Sequence, residues 1–483
     1  MKRQFKISGF ILLIIFISSC NDFLDVNTDP NNPSTSTVEL TLPTGIASAA
    51  FVLGDQFQIL GSLWAQHWTQ APAANQYAAV DDYDINENSY TAAYSELYSG
   101  ALVDLKFVSD NARANEDWNY YLISEVMSAY VFQMLVDMYD KVPYSEALKG
   151  NLGEVTPKFD NGEDIYDDLI ARIDNALSKD RSLASARPVG EADMIFDGDM
   201  DQWIKFANTL KLKIFMRQSV SRPSVAQAGI EGLFNSGAEF LDSEDAQMDA
   251  FVDVQDYRNP FFATQISTAG NGRGYVDIVA SSTIIDELNA AGDPRISALF
   301  NTPVNGGSNY IGLQQGDYNT TAYASARDLS QPDIGPTHPI VFMSVAESKF
   351  LQAEAVERFG VTGDAQTLYE EGIEASFDKL GVSGASTLYG SGGAYEYDPA
   401  NAIEQIITQK WISMVNFQGL EAHVERKRTG FPDFFETPPG NVTSGLYPQR
   451  LPYPSAEIDN NRDELNAVGG QKQVTERVWW NTL

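Results

Sequence analysis

The sequence predicts a helical scaffold carrying long irregular loops, with few strands. Three observations point there. Apolar residues recur at three- and four-residue spacing over several segments of helical length. Glycines close two of those segments. The stretches between them are long and rich in Gly, Asn, Asp, Tyr and Ser. With 483 residues, 43% hydrophobic and 11% aromatic, the chain holds material for a sizeable core, which excludes wholesale disorder.

Segment 117–139 is the strongest helix, with Tyr121, Leu122, Val126, Met127, Tyr130, Met134, Leu135 and Met138 on a broad apolar face. Such breadth suits a helix packed on several neighbours. Asp160 is expected to cap Glu163–Leu177, whose stripe is Tyr166, Leu169, Ile170, Ile173 and Leu177. Asp201 is expected to cap Gln202–Ser219, with Pro223 ending that helix. Ser344–Arg358, Asp364–Leu380 and Ala402–Phe417 follow, the first two stopped by Gly360 and Gly381. Those two form an antiparallel pair across a short loop, although no 34-residue period runs through the chain. Residues 240–280, 300–340, 382–400 and 430–460 read as irregular, and loops of that length in a compact protein usually serve function.

Charge removes one class. Lys and Arg number 32 against 66 Asp and Glu, a net of −34, and such a field repels phosphate backbones. No nucleic-acid partner is expected. One cysteine and three scattered histidines exclude an intramolecular disulfide framework and a multi-cysteine zinc site.

The lone cysteine has an address. Lys2, Arg3 and Lys6 precede the apolar run Phe10–Ile17, which rises only about 12 Å as a helix and cannot span about 30 Å of hydrocarbon. It has the length of a signal-peptide core. Ile17-Ser18-Ser19-Cys20 resembles a bacterial lipobox, in which Cys20 carries the lipid. The expected organisation is a signal over 1–19, a lipidated Cys20 and tether over 20–38, and one helical domain over 39–483. Loop regions at about 240–340 and 382–400 are inserted in that domain. Removing the signal takes three cations and no anion from −34, leaving −37. The only membrane contact expected is the lipid anchor.

Several motifs in order resemble the SusD/RagB-like outer-membrane lipoproteins of Bacteroidetes. Asn21-Asp-Phe-Leu-Asp-Val-Asn27 resembles the mature start of that family, and its acidic residues resemble a signature of surface-exposed lipoproteins. Val142-Pro-Tyr-Ser-Glu-Ala147, Trp203–Lys211 and Ala291-Gly-Asp-Pro-Arg295 fit further motifs. Ser348–Ala355, Gln409-Lys-Trp-Ile412, Gly419-Leu-Glu421, Arg426–Pro432, Arg450–Pro454, Glu457 and Asn461 complete the set. His423 departs from it, since many relatives carry an aromatic residue there. The resemblance implies an all-α core of tetratricopeptide-like helix pairs, no enzymatic activity and no cofactor. It also implies capture of a poly- or oligosaccharide at the cell exterior, for delivery to a SusC-like TonB-dependent transporter. Peptide capture for a RagA-like transporter is the alternative.

Sugar binding needs flat aromatic faces for C–H patches, with carboxylates, amides and Arg for hydroxyls. The richest stretch is 64–90, with Trp64 and Trp68 on one face of a short helix ending near Pro72, then Gln70, Asn75, Tyr77, Asp81 and Asp84. Phe57, Leu60, Trp64 and Trp68 also form one apolar stripe, so the two tryptophans read either as ligand platform or as core. Tyr310 and Tyr318 in 305–325, and Tyr257 and Arg273 in 256–273, are the further glycan candidates. Asp197-Gly-Asp199-Met-Asp201 alternates carboxylates but lacks the glycine and glutamate of an EF-hand, so helix capping accounts for it, while Asp81-Asp82-Tyr-Asp84 is a second acidic stretch that could hold Ca²⁺. No metal site is expected. Chance carboxylate pairs carry no glycosidase signal among 66 acids, and no nucleophile elbow or triad spacing stands out. Strong acidity fits saline surroundings and leans toward a neutral β-glucan such as laminarin.

Overall fold

The computed structural model describes residues 36–266 and 277–482; Cys20, the segments flanking it, and Arg273 lie outside the described residues. The longer helices are α1 (Val38–Gly54), α2 (Gln56–Trp64), α3 (Val103–Ala114), α4 (Trp118–Tyr139), α5 (Gly162–Leu177) and α6 (Met200–Arg217). They continue as α7 (Pro223–Asn235), α8 (Ser282–Ala291), α9 (Val345–Phe359), α10 (Ala365–Leu380), α11 (Ala402–Ser413) and α12 (Gly419–Thr429). The fold is the expected all-α scaffold of packed helix pairs. α1 lies on α3, α3 on α4 and α4 on α5, while α6 pairs with α7 and α9 with both α10 and α11. α4 is the pillar, buried from Asn119 to Tyr139, which explains an apolar face too broad for one neighbour.

The caps show why these segments fold locally. Ser344 Oγ accepts from Glu347 N at 3.0 Å and Asp364 Oδ1 from Thr367 N at 2.7 Å, opening α9 and α10. Gly360 and Gly381 close them in the left-handed region, as expected. Two expected caps are displaced. Asp199, not Asp201, caps α6, its Oδ1 accepting from Asp201 N and Gln202 N at 2.9 and 3.2 Å. Asn161 rather than Asp160 stands before α5, because the Asp160 carboxylate accepts from Ser145 N at 2.7 Å. Pro223 opens α7 instead of ending α6, its fixed φ suiting the first helical turn. The expectation that no stretch beyond the signal is long and apolar enough to cross a membrane is corrected by Val38–Trp64, which is so by length and composition, although it is two helices broken at Asp55 and mostly buried.

Short strands stitch the loops to this scaffold: β1 (Trp68–Gln70), β2 (Val142–Pro143), β3 (Phe159–Asp160), β4 (Ala246–Met248), β5 (Ile278–Ala280), β6 (Phe300–Asn301), β7 (Gln331–Pro332) and β8 (Ile340–Met343). They pair antiparallel as β1 with β5, β2 with β3, β4 with β8 and β6 with β7. The stretch 240–340 is therefore not wholly irregular. It holds α8, strands and the short helices Pro260–Gln265 and Ile296–Leu299.

α2 and α12 cross at backbone contact. A Cβ on Gly61 would lie 2.1 Å from Leu420 N, and one on Gly419 would lie 2.3 Å from Ser62 Oγ. Only glycine fits at either position. This crossing fixes the segment 63–70 that leads into the loops described next.

Candidate functional site

Three loops, 71–90, 310–325 and 434–447, meet over the end of α2. Their floor is a buried hydrogen-bond network built on Asp81. Its Oδ2 accepts from Thr69 Oγ1 at 2.6 Å and Gln70 N at 2.9 Å, while Gln315 Nε2 donates to Oδ1 and to Leu63 O at 3.0 Å. Gly316 N donates to Thr69 Oγ1 at 3.0 Å, and Gln70 Oε1 accepts from Tyr77 N at 2.6 Å. The third loop is tied by Gln66, whose Oε1 accepts from Glu436 N at 2.9 Å. Pro438 packs on Gly316, Gly440 on Asp82, and Val442 N donates to Asp82 O at 3.0 Å.

Several candidates thus serve the floor rather than the surface. Trp64 and Trp68 are both 0% exposed. α2 ends at Trp64, well before Pro72, because Gln66 turns the chain at φ 54°. Trp68 therefore stands on β1 and shares no helix with Trp64. Trp64 Nε1 donates to Val80 O and Trp68 Nε1 to Asn416 Oδ1, each at 3.0 Å. The core alternative for the stripe is the one that this burial matches. Gln70 and Asp81 are also buried, committed to the network. His423, the departure noted above, fills core space 4.9 Å from the Trp64 ring and meets Tyr447 Oη through Nδ1 at 2.9 Å.

The rim carries the accessible groups. Asn75, Asp84, Gln314 and Asn319 are exposed, and Tyr77 and Tyr318 half-buried. Tyr318 Oη donates to Asp82. Phe434, 41% exposed, meets Trp411 edge to face at 5.7 Å and supplies an aromatic ring that the sequence reading missed. Its only sequence signal is the aromatic and proline content of FPDFFETPP. Beside the rim opens a cleft of about 400 Å³ between 83–87, 442–444 and 471–475. Tyr310 is half-buried against the main core. Tyr257, 66% exposed, occupies a separate turn closed by its own backbone bonds to Val252 and Val254.

A larger cleft of about 610 Å³ lies between 242–247, 333–339 and 375–380. It is acidic, and the ring of its Phe417 is already covered. His338 stacks on that ring at 4.6 Å and Lys379 Nζ lies 4.5 Å from its centroid. It offers a sugar no free aromatic face.

Burial dominates the electrostatics of the loop site. It pushes the Asp81 carboxyl from 3.8 up to about 6, against the hydrogen bonds from Thr69, Gln70 and Gln315. It also raises Asp82, and it pushes the Tyr318 phenol up to about 12. Between 3.8 and about 6 the folded protein keeps a proton on Asp81 that the unfolded chain has released. Its contribution to stability therefore falls as pH rises through that window, by about 3 kcal/mol, and is flat above it. Asp81→Asn is expected to abolish this slope. Urea unfolding of both proteins at pH 4 and pH 7 reads it, and identical pH dependence in the two would refute the assignment.

Residues 30–454 match a family described as starch-binding associating with outer membrane. A solved SusD homolog from Bacteroides uniformis superposes with a TM-score of 0.79 at 24% identity, over 92% of this chain and 99% of that one. A chitin-binding protein gives 0.77 at 26% identity, over 91% and 100%. A chitin-binding SusD homolog from Flavobacterium johnsoniae gives 0.76 at 22%, over 91% and 98%. No curated protein matches the chain.

Proposed function

The chain belongs to the SusD-like family, and from that premise we propose that it captures a poly- or oligosaccharide at the loop face described above. The observation that carries this reading is the rim itself. Tyr77, Tyr318 and Phe434 interleave with Asn75, Gln314 and Asn319, over a network that leaves their loops little freedom. Aromatic faces take the C–H patches of a sugar ring, and amides and carboxylates take its hydroxyls. Two similar structures are of chitin-binding proteins, which supports a glycan as the ligand class.

Asn75, Tyr77, Asp84 and Tyr318 act in this reading as ligand contacts. Trp64, Trp68, Gln70 and Asp81 act as the groups that position them. Tyr310 lies at the margin, Tyr257 stands on a separate turn, and Arg273 lies outside the described residues. The finer proposals follow the family description of outer-membrane association. Cys20 carries a lipid that holds the body on the exterior face, and the bound glycan passes to a SusC-like TonB-dependent transporter. The mature charge of −37, the −34 of the whole chain less the three cations of the signal, favours a neutral glycan such as laminarin, since polyanions are repelled at long range. The protein is a binder, not an enzyme.

Retention of purified protein in native gels cast with neutral glycans, anionic glycans or peptides tests the reading. Retardation by a glycan is expected. Tyr318→Ala and Phe434→Ala should each weaken that binding roughly tenfold, about 1–1.5 kcal/mol for a lost stacking face. Retardation by peptides alone would move the conclusion to the alternative ligand class. Unchanged affinity in both variants would move the site elsewhere.

A further inference from the structure

Arg426 breaks the pattern set by the other arginines. Among the described residues, every other buried or half-buried arginine has a hydrogen-bond acceptor. Arg172 holds Glu125, Arg222 holds Asp167, Arg258 holds Asp253 and Arg428 holds Glu354. Even Arg181 and Arg450 reach backbone carbonyls. Among the described residues the Arg426 side chain forms neither an ion pair nor a hydrogen bond, and its Nε is buried with no acceptor. In a chain with 66 acidic residues against 32 basic ones, a half-buried guanidinium left without any acceptor is the exception. Asp433 and Glu436 on the adjoining loop are exposed instead.

The guanidinium is nevertheless held in place. It lies 5.2 Å from the centroid of Phe435 and 5.3 Å from that of Tyr447. Both rings belong to the segment that is tied to Gln66 and packs on Gly316 and Asp82. Phe434, the exposed ring of the loop face, is the neighbour of Phe435. Contact with two rings restrains the guanidinium, and its two terminal Nη groups, which unlike Nε are not buried, are left for an acceptor. A planar carboxylate matches that fork in bidentate fashion.

We propose that Arg426 is a recognition point for a carboxylate group, presented by a uronic acid on an otherwise neutral glycan bound at the loop face. The sugar part of this rests on the glycan-capture reading; the carboxylate site does not. The overall negative charge is compatible with it, because salt screens the long-range field to within roughly 10 Å at 0.1 M, whereas a guanidinium–carboxylate contact is local. The preference is thus for sparse carboxylates, not for polyanions.

Two measurements test the inference. In the first, the Nε–Hε resonance of Arg426, assigned by its loss in Arg426→Lys, is followed by NMR as D-glucuronate, acetate or D-glucose is added to the full-length protein. A shift with glucuronate and none with glucose is expected. No shift with glucuronate, or an equal one with glucose, would overturn the proposal. An equal response to acetate would keep the carboxylate site and assign it to small free acids. In the second, native gels contain glucuronoxylan or the same polymer after carboxyl reduction. Wild type should bind the carboxylated form at least fivefold more tightly, and Arg426→Met, with an unchanged unfolding midpoint, should lose that margin. A margin that survives in Arg426→Met would also overturn it. If no glycan of any kind retards the protein while the glucuronate shift persists, the glycan-capture reading fails and the carboxylate site stands.

Discussion

Replacing Arg217 by methionine is expected to destabilise the protein by about 3–5 kcal/mol, the cost of breaking a buried ion pair from one side. Arg217 is 1% exposed. Its Nη2 donates to both oxygens of Glu421 at 2.7 and 2.8 Å, its Nη1 to Glu425, and its Nε stands 3.3 Å from Asp137 Oδ2. The network extends through Lys213 to Glu347 at 3.0 Å, Lys410 to Glu425 at 3.1 Å, and Arg428 to Glu425 and Glu354 at 2.7 and 2.6 Å. Methionine would fill the space but leave the buried Glu425 and the largely buried Glu421 short of a cation. Urea unfolding followed by circular dichroism measures the loss, and a change below 1 kcal/mol would refute the account. The double variant Arg217→Met/Glu421→Met should cost less than the sum of the single ones, because it removes the stranded charge as well.

The same network sets an acid limit. Burial alone would push the Glu425 carboxyl up, but Arg428, Lys410 and Arg217 together hold it well below the ordinary carboxylate range. Glu421 and Glu354 are lowered likewise, against their burial, by the arginines and lysines around them. For a group with a depressed folded value, the stabilisation is complete above the unfolded value and is lost as pH falls through the folded one. Asp81 runs in the opposite direction, so the two effects separate by variant rather than by pH alone.

This network explains what was legible in the sequence. Glu354 belongs to the Ser348–Ala355 motif, Lys410 to Gln409–Ile412, Glu421 to the Gly419 motif and Arg428 to Arg426–Pro432. They converge in one buried cluster joining α4, α6, α9, α11 and α12. The motifs that carry the family resemblance thus include much of the scaffold's buried charge, and the fold could be read from them with its helix stops. The loop face had no such signature. Asp81, Gln315 and Gln66 are polar letters in polar stretches, and only their partners, up to 370 residues away in sequence, turn them into a floor. Trp68 was misplaced for a related reason. A helical stripe continues on paper through Trp64 to Trp68, but the positive φ of Gln66 and the pairing of β1 with β5 end the helix in between. Local pattern cannot supply a strand partner more than 200 residues away.

Trp68→Ala is expected to cost about 3–5 kcal/mol, as for other large aromatic side chains removed from a core. The ring packs 4.9 Å from Phe261, and its indole N–H holds Asn416 Oδ1. Asn416 in turn donates through Nδ2 to Leu299 O at 2.6 Å, with its backbone in the left-handed region at φ 68°. Losing Trp68 therefore opens a cavity and frees the turn between α11 and α12, the helix that crosses α2 at Gly61 and Gly419. Trp68→Phe should keep most of the packing and lose the hydrogen bond, for about 1–2 kcal/mol. The two variants decide what a binding defect means. If Trp68 only positions the loops, Trp68→Phe should bind glycan within about twofold of wild type, and any loss in Trp68→Ala should track its loss of folded protein. A tenfold weakening in a fully folded Trp68→Phe would instead place this indole in contact with the ligand, and its burial would have to be relieved on binding.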